Sequence, residues 1–173
     1  YDGKDITKYN RRQMKQMRQN MQLIFQDPYA SLDPRKSVVE IIAEYMIINR
    51  TYPSKKEIYN YAAHLMDIVG LARRYANAYP HELDGGRRQR IGIARALSLH
   101  PKFIVCDEPV SALDVSIQAQ ILNLLMDLQD EMNLTYMFVT HDLSVVKHIS
   151  NHIMVMYLGQ CLELSTSDEL FKR

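Results

Sequence analysis

Two acids at the end of an apolar run, Phe103-Ile104-Val105-Cys106 followed by Asp107-Glu108, are the first residues here whose types and spacing could do chemistry. Open α/β sheets keep their ligands at the C-terminal ends of their strands. Adjacent carboxylates there suit one acid that holds a divalent cation through water and a second that polarises a nucleophile. Upstream, Gly85-Gly86 opens a helical run and offers backbone N–H groups and the positive end of a helix dipole to an anion. Two further apolar runs end in polar residues: Met21 to Phe25 stops at Gln26, and Thr135 to Thr140 stops at His141. In a parallel sheet Gln26, Asp107, Glu108 and His141 would converge. An amide that orients, two acids and an imidazole that contacts a transferred phosphoryl group are what metal-assisted attack of water on a phosphoanhydride uses. The set therefore implies a nucleotide, Mg2+ and an attacking water. Each piece has a plainer reading alone, since acids after a strand often cap a helix and a strand-end histidine is more often structural. Their shared position on three strands, beside a diglycine helix start, is what joins them.

The elements that must position these residues emerge from the pattern along the chain. Lys8 to Arg18 reads as an amphipathic helix with Arg11, Lys15 and Arg18 on one stripe and Met14, Met17 and Met21 on another. With no interleaved aromatics and near-zero net charge, its basic stripe is taken as a solvated face and not as a nucleic-acid contact. After the strand Met21 to Phe25 comes a loop with the Asp33-Pro34 turn signal. Three S/T-x-x-E boxes predict helix starts at Ser37, Ser54 and Thr166, and Gly70 is placed as the stop of the second helix. A further helical piece is expected around Leu71 to Ala78. The stretch from 35 to 83 is thus all-helical, unlike its flanks. It carries six of the eleven tyrosines, Tyr45, Tyr52, Tyr59, Tyr61, Tyr75 and Tyr79, which suit a protein partner and core packing equally well. Beyond it the pattern gives a helix from about Gly86 to Ser98, the strand Lys102 to Cys106, a helix Val115 to Glu131, the strand Thr135 to Thr140, a short helix from Leu143, and strands Ile153 to Tyr157 and Gln160 to Glu163. Strands alternating with crossover helices argue for an α/β fold with a mostly parallel sheet.

Composition excludes several classes. The net charge of +1 implies no strong polyanion partner, and 173 residues suffice for one domain with a core. No apolar run approaches the roughly 18 to 20 residues that span a bilayer. Cys106 and Cys161 have no metal-ligand spacing and are read as small hydrophobes in a reducing compartment, with a cytosolic location as the default.

Across almost its whole length the chain resembles the nucleotide-binding subunits of ABC transporters. Leu83-Asp84-Gly85-Gly86-Arg87-Arg88-Gln89-Arg90 resembles the family signature LSGGQRQR, and Phe103 to Glu108 resembles a Walker B strand with its catalytic glutamate. Ser111-Ala112-Leu113-Asp114 matches the D-loop, Gln26 the Q-loop and His141 the switch histidine. FQDPYASLDPR and LDVSIQAQILNLL further resemble the ATPase subunits of dipeptide and oligopeptide importers. The resemblance implies a P-loop NTPase-like sheet, residues 1–34 and 84–173, with a helical subdomain, residues 35–83, inserted between Q-loop and signature. It implies ATP and Mg2+, with Asp107 and Gln26 at the metal and Glu108 as general base. His141 would meet the γ-phosphate, and Asp84, Gly85 and Gly86 would meet the ATP of an opposite subunit, with Ser111 and Asp114 at the joint. The implied partners are a second ABC ATPase subunit, transmembrane permease subunits and, indirectly, an extracellular or periplasmic solute-binding protein. The implied place is peripheral, on the inner face of the cell membrane.

The chain departs from the family pattern in two places. The six glycines, at 3, 70, 85, 86, 92 and 159, give no G-x-x-x-x-G-K-[ST] pattern, so the backbone cradle and lysine of a P-loop are expected ahead of Tyr1, together with the first strands. The chain is read as starting in mid-domain, and tight ATP binding by these residues alone is not expected. The signature serine is Asp84 and the following glutamine is Arg87. Asp caps helices as well as Ser does, but a carboxylate about 4 Å from a phosphate charge is repelled by on the order of 4 kcal/mol at an effective dielectric near 20. Arg87 is placed to offset part of this. Two rival readings compete with a transport ATPase. A DNA-repair or chromosome-maintenance ATPase would need a coiled coil or zinc-cysteine module between Gln26 and Leu83, which is short and free of cysteine. A non-catalytic fragment or interaction module is favoured by the missing P-loop pattern.

Overall fold

The computed structural model describes residues 1–27 and 29–172. Three parallel strands, β1 (Met21–Ile24), β2 (Phe103–Asp107) and β3 (Thr135–Val139), form the central sheet in the order β1-β2-β3. Register sets Ile24 beside Cys106 and Cys106 beside Phe138, so one face of the sheet carries Ile24, Ile104 and Cys106, all buried. They share a core with Ile91, Ile93 and Leu97 of α4 (Gly85–Leu97) and Ile121 and Leu125 of α5 (Val115–Met132). Each such side chain removed from water contributes on the order of 1.5–3 kcal/mol. The opposite face, carrying Leu23, Met137 and Val139, is 38 to 48% exposed.

The helical stretch lies between β1 and α4. It comprises α2 (Val38–Asn49), α3 (Lys55–Ile68) and two 3-10 turns, Arg73–Tyr75 and Pro80–Glu82. The Ser37 box forms, with the Ser37 N–H donating to Glu40 Oε2 at 2.8 Å, and Ser54 Oγ accepts from the Glu57 N–H at 3.2 Å. Gly70 ends α3 at φ +66°, a left-handed conformation that costs glycine little. The helix expected over Leu71 to Ala78 is reduced to the turn at Arg73–Tyr75. The carbonyls of Ala76 and Ala78 instead accept from the N–H groups of Val39 and Val38 at 3.0 and 2.9 Å. They satisfy donors that the start of α2 leaves open, a long-range use of the backbone that outweighs local helix formation.

α1 (Arg11–Asn20) is capped by Asn10 and Gln13 and buries none of its residues. α4 packs against α2 and α3 on one side and β1 and α5 on the other. After α6 (Leu143–Ile149), β4 (His152–Tyr157) and β5 (Gln160–Thr166) form an antiparallel pair of their own, ahead of α7 (Ser167–Leu170), whose Thr166 capping box forms. These last strands do not extend the parallel sheet. Their connection is Leu158-Gly159, with φ +48° and +78°, and a two-residue loop with both φ positive closes only an antiparallel hairpin.

Candidate active site

Glu108 is the centre of the site. It comes directly after the last residue of β2, and its backbone sits at φ +44°, a region sparsely populated by non-glycine residues. Such backbone costs of order 1–3 kcal/mol and persists where surrounding contacts over-determine it. Here the Glu108 N–H donates to the Val139 carbonyl at 2.8 Å, and its own carbonyl accepts from the Ser111 N–H at 3.2 Å and Ser111 Oγ at 3.1 Å. Its carboxylate receives the ends of the two flanking strands. Gln26 Nε2 donates to Oε2 at 2.7 Å, and His141 Nδ1 lies 2.8 Å from Oε1. β1, β2 and β3 are parallel neighbours, so the residues just past their ends reach one edge, as their polar strand ends imply.

The His141 contact, first, and then the Ser111 and Gln26 hydrogen bonds hold the Glu108 carboxyl below its ordinary value. An ionised carboxylate only accepts, so Nδ1 is the protonated nitrogen of His141 in this contact. Four lone-pair positions on the carboxylate minus two used leaves room for a water. His141 itself is placed by its two chain neighbours. Asp142 caps α6, accepting from the Ser144 N–H at 2.8 Å, while Thr140 Oγ1 accepts from the Asp142 N–H at 3.2 Å. Asp107 is exposed at the end of β2. Among the described residues no cluster of three or more metal-ligating side chains occurs.

The second set lies at the start of α4. Asp84 is the N-cap: its Oδ1 accepts from the Arg87 N–H at 2.8 Å, and Arg87 Nη1 is 2.5 Å from Oδ2. The Arg87 guanidinium also lies 4.9 Å from the centre of the Tyr75 ring. Gly85 and Gly86 are held close to the loop and helix after β2. A Cβ on Gly85 would meet Leu113 Cδ2 at 3.1 Å, and one on Gly86 would meet Ile117 Cγ2 at 2.8 Å. The glycine pair thus has a packing reason as well as its place at the start of a helix. Asp114 is the N-cap residue of α5, without a side-chain capping bond. Among the described residues no hydrogen bond joins Asp84, Gly85 or Gly86 to the Glu108 set.

Sequence reasoning missed three contributors around Gln26. Asp27 Oδ1 accepts from the N–H groups of Tyr29 and Ala30 at 2.7 and 3.2 Å, folding the chain after Gln26 into a turn. Arg88 and Arg95 of α4 reach that same turn. Arg88 lies 4.7 Å from the Tyr29 ring centre, and Arg95 Nη1 donates to the Ser31 carbonyl at 2.6 Å. The Asp-x-x sequence after Gln26 is a turn signal, but nothing local announces the two arginines.

A parallel sheet with a Gln-Glu-His contact at its C-terminal edge, and a separate glycine-rich helix start, place the chain by class among the P-loop NTPase-like α/β folds. The chain belongs to the ABC transporter family, whose model matches residues 1–111. It is 51% identical over 173 residues to the oligopeptide transport ATP-binding protein OppF of Bacillus subtilis, covering 99% of this chain and 57% of that protein. It is 51% identical over 171 residues to the dipeptide transport ATP-binding protein DppF of Escherichia coli, covering 99% of this chain and 51% of that one. The chain thus spans little more than half the length of these curated relatives. Among solved structures it resembles cbiO1 of Clostridium perfringens, part of the ABC transporter complex cbiONQ, with a TM-score of 0.88 and 26% identity over 99% of this chain and 66% of that one. It also resembles a dimeric ATP-binding cassette in a post-hydrolysis state bound to ADP and Pi, with a TM-score of 0.83 and 28% identity over 96% of this chain and 72% of that one.

Proposed function

We propose that this chain forms part of the ATP-binding subunit of a peptide importer and carries the water-activating side of its hydrolytic site. The observation that supports this most directly is the pairing of both Glu108 carboxylate oxygens with residues from the two neighbouring strand ends, Gln26 and His141. In this reading Glu108, kept ionised, takes a proton from the attacking water through a remaining lone pair. Positioned general bases contribute about 10²–10⁴-fold to rate. Gln26 orients the carboxylate, and His141, donating through Nδ1, keeps its second ring nitrogen for the phosphate side. Asp107, with Gln26, would hold Mg2+, which when bound offsets phosphate charge. Asp84, Gly85 and Gly86 would face the ATP of a second ABC ATPase subunit across a dimer joint that includes Ser111 and Asp114. The 35–83 helices would face the permease, with a solute-binding protein acting on the far side of the membrane. No helix among the described residues is long and apolar enough to cross a membrane. The proposed place is peripheral, on the cytoplasmic face.

A second reading, a fragment or interaction module that does not bind ATP by itself, is favoured by the glycine positions, none of which gives a P-loop pattern. Calorimetric titration of Mg-ATP into the 173-residue chain tests this second reading. Weak or no binding is expected, and micromolar binding would refute that expectation. For the catalytic reading, the full-length parent protein with its partner subunits should hydrolyse ATP in response to peptide. Hydrolysis unaffected by loss of the Glu108 carboxylate would count against it.

A further inference from the structure

Among the described residues, Arg95 carries a charge into the protein interior without an ion pair. It is 8% exposed, and the ion pairs among the described residues do not include it. Glu44, whose field reaches it, is itself paired with Lys36 at 2.5 Å. Burial pushes the Arg95 guanidinium below its usual value. A buried cation without a counter-ion is a poor stabilising element, so stability alone does not account for it. Its Nη1 donates to the Ser31 carbonyl at 2.6 Å, and the rings of Phe25 and Tyr45 stand 6.0 and 5.9 Å from its central carbon. Phe25 directly precedes Gln26, and Ser31 closes the Asp27 turn through its N–H to the Asp27 carbonyl at 3.2 Å. The guanidinium therefore touches the chain on both sides of Gln26. Seven residues earlier on the same helix, hence on the same face, Arg88 lies over the Tyr29 ring.

We propose that Arg95 is a positioning residue that clamps Phe25 and Ser31, on either side of Gln26, onto α4 and so sets the reach of Gln26 to Glu108. The guanidinium suits this task, because a planar fork bonds a carbonyl and stacks beside rings at once, which an ammonium does not. The clamp also ties Gln26 to the helix whose other end carries Asp84, Gly85 and Gly86, so that a movement of α4 is transmitted to the Glu108 carboxylate. This second consequence rests on the catalytic reading above; the clamp itself does not.

The test is made without nucleotide, so it fails or succeeds independently of ATP hydrolysis. The side-chain amide signals of Gln26, identified by their loss in Gln26→Leu, are followed by NMR at one fixed pH in the 173-residue chain and in Arg95→Met. Arg95→Met is expected to move both Nε2 proton signals to the position of a solvated glutamine amide, because the donor no longer reaches Glu108. A purely structural arginine would lower thermal stability and leave the Gln26 amide signals where they were, and that result would overturn the proposal. Arg95→Lys serves if Arg95→Met does not fold. It keeps charge and a donor but loses the fork, and should move the signals part of the way. Wild-type Gln26 amide signals in folded Arg95→Lys would equally overturn it.

Discussion

His141 Nδ1 lies 2.8 Å from Glu108 Oε1, joining residues 33 apart in sequence across the edge of β2 and β3. With Gln26 on the other oxygen, the carboxylate is held from both flanking strands. Glu108→Gln keeps the size of the side chain and removes its basicity. In the full-length protein assembled with its partners, hydrolysis should fall by about 10²–10⁴-fold, the worth of a positioned base. The chain should stay folded, because the exposed edge of the sheet carries little of the core. Steady-state phosphate release and circular dichroism on the same preparation check both halves.

The glycines of α4 should respond in opposite directions. A Cβ on Gly86 would come 2.8 Å from Ile117 Cγ2, whereas one on Gly92 would meet nothing within 4 Å. Gly86→Ala is expected to destabilise by about 1–3 kcal/mol through overpacking. Gly92→Ala should stabilise by about 0.5–1 kcal/mol by restricting the unfolded chain. Urea unfolding of the two variants decides it, and equal effects would contradict the packing at Ile117.

Asp84 combines two roles that one substitution separates. As N-cap it accepts from the Arg87 N–H, and it also pairs with the Arg87 side chain. Serine caps a helix about as well, and the pair is exposed, so Asp84→Ser should change stability by less than about 1 kcal/mol. If the start of α4 faces a phosphate, removal of the carboxylate should raise ATP hydrolysis in the full-length protein. An unchanged rate would show that Arg87 already neutralises the acid.

Stability should fall in acid for a definite set of groups. Glu108 beside His141, Asp33 beside Arg35, Glu40 at the Ser37 backbone and Asp142 at Ser144 all have lowered carboxyl pKa values. A carboxyl with a lower pKa folded than unfolded binds fewer protons when folded. Its contribution is complete above the unfolded value, about 4, and is lost as pH falls through the lower folded value. Urea midpoints should therefore be level from pH 7 to about 5 and decline below about 4. A midpoint rising on acidification through that range would contradict these contacts.

Much of the fold was legible because its signals are local. Capping boxes at Ser37 and Thr166 formed as their spacing implies, and three apolar runs became three parallel strands. The Leu71 to Ala78 piece did not become a helix because its carbonyls are taken by α2, and no local pattern encodes a partner so far along the chain. The final hairpin was readable as two strands, while its separation from the parallel sheet came from the two positive φ values at Leu158 and Gly159.

By itself the sequence determined which residues stand at strand ends and helix starts, since alternation, capping and glycine conformations act over a few residues. Only the tertiary structure decided that Gln26 and His141 meet on one carboxylate, that the Arg87 side chain pairs with Asp84, that Ile117 needs the glycine at 86, and that a buried Arg95 bonds the Ser31 carbonyl beyond Gln26. Most of those are contacts between segments far apart in the chain. They depend on strand order and on the angle at which α4 crosses the sheet, and side-chain type alone carries neither.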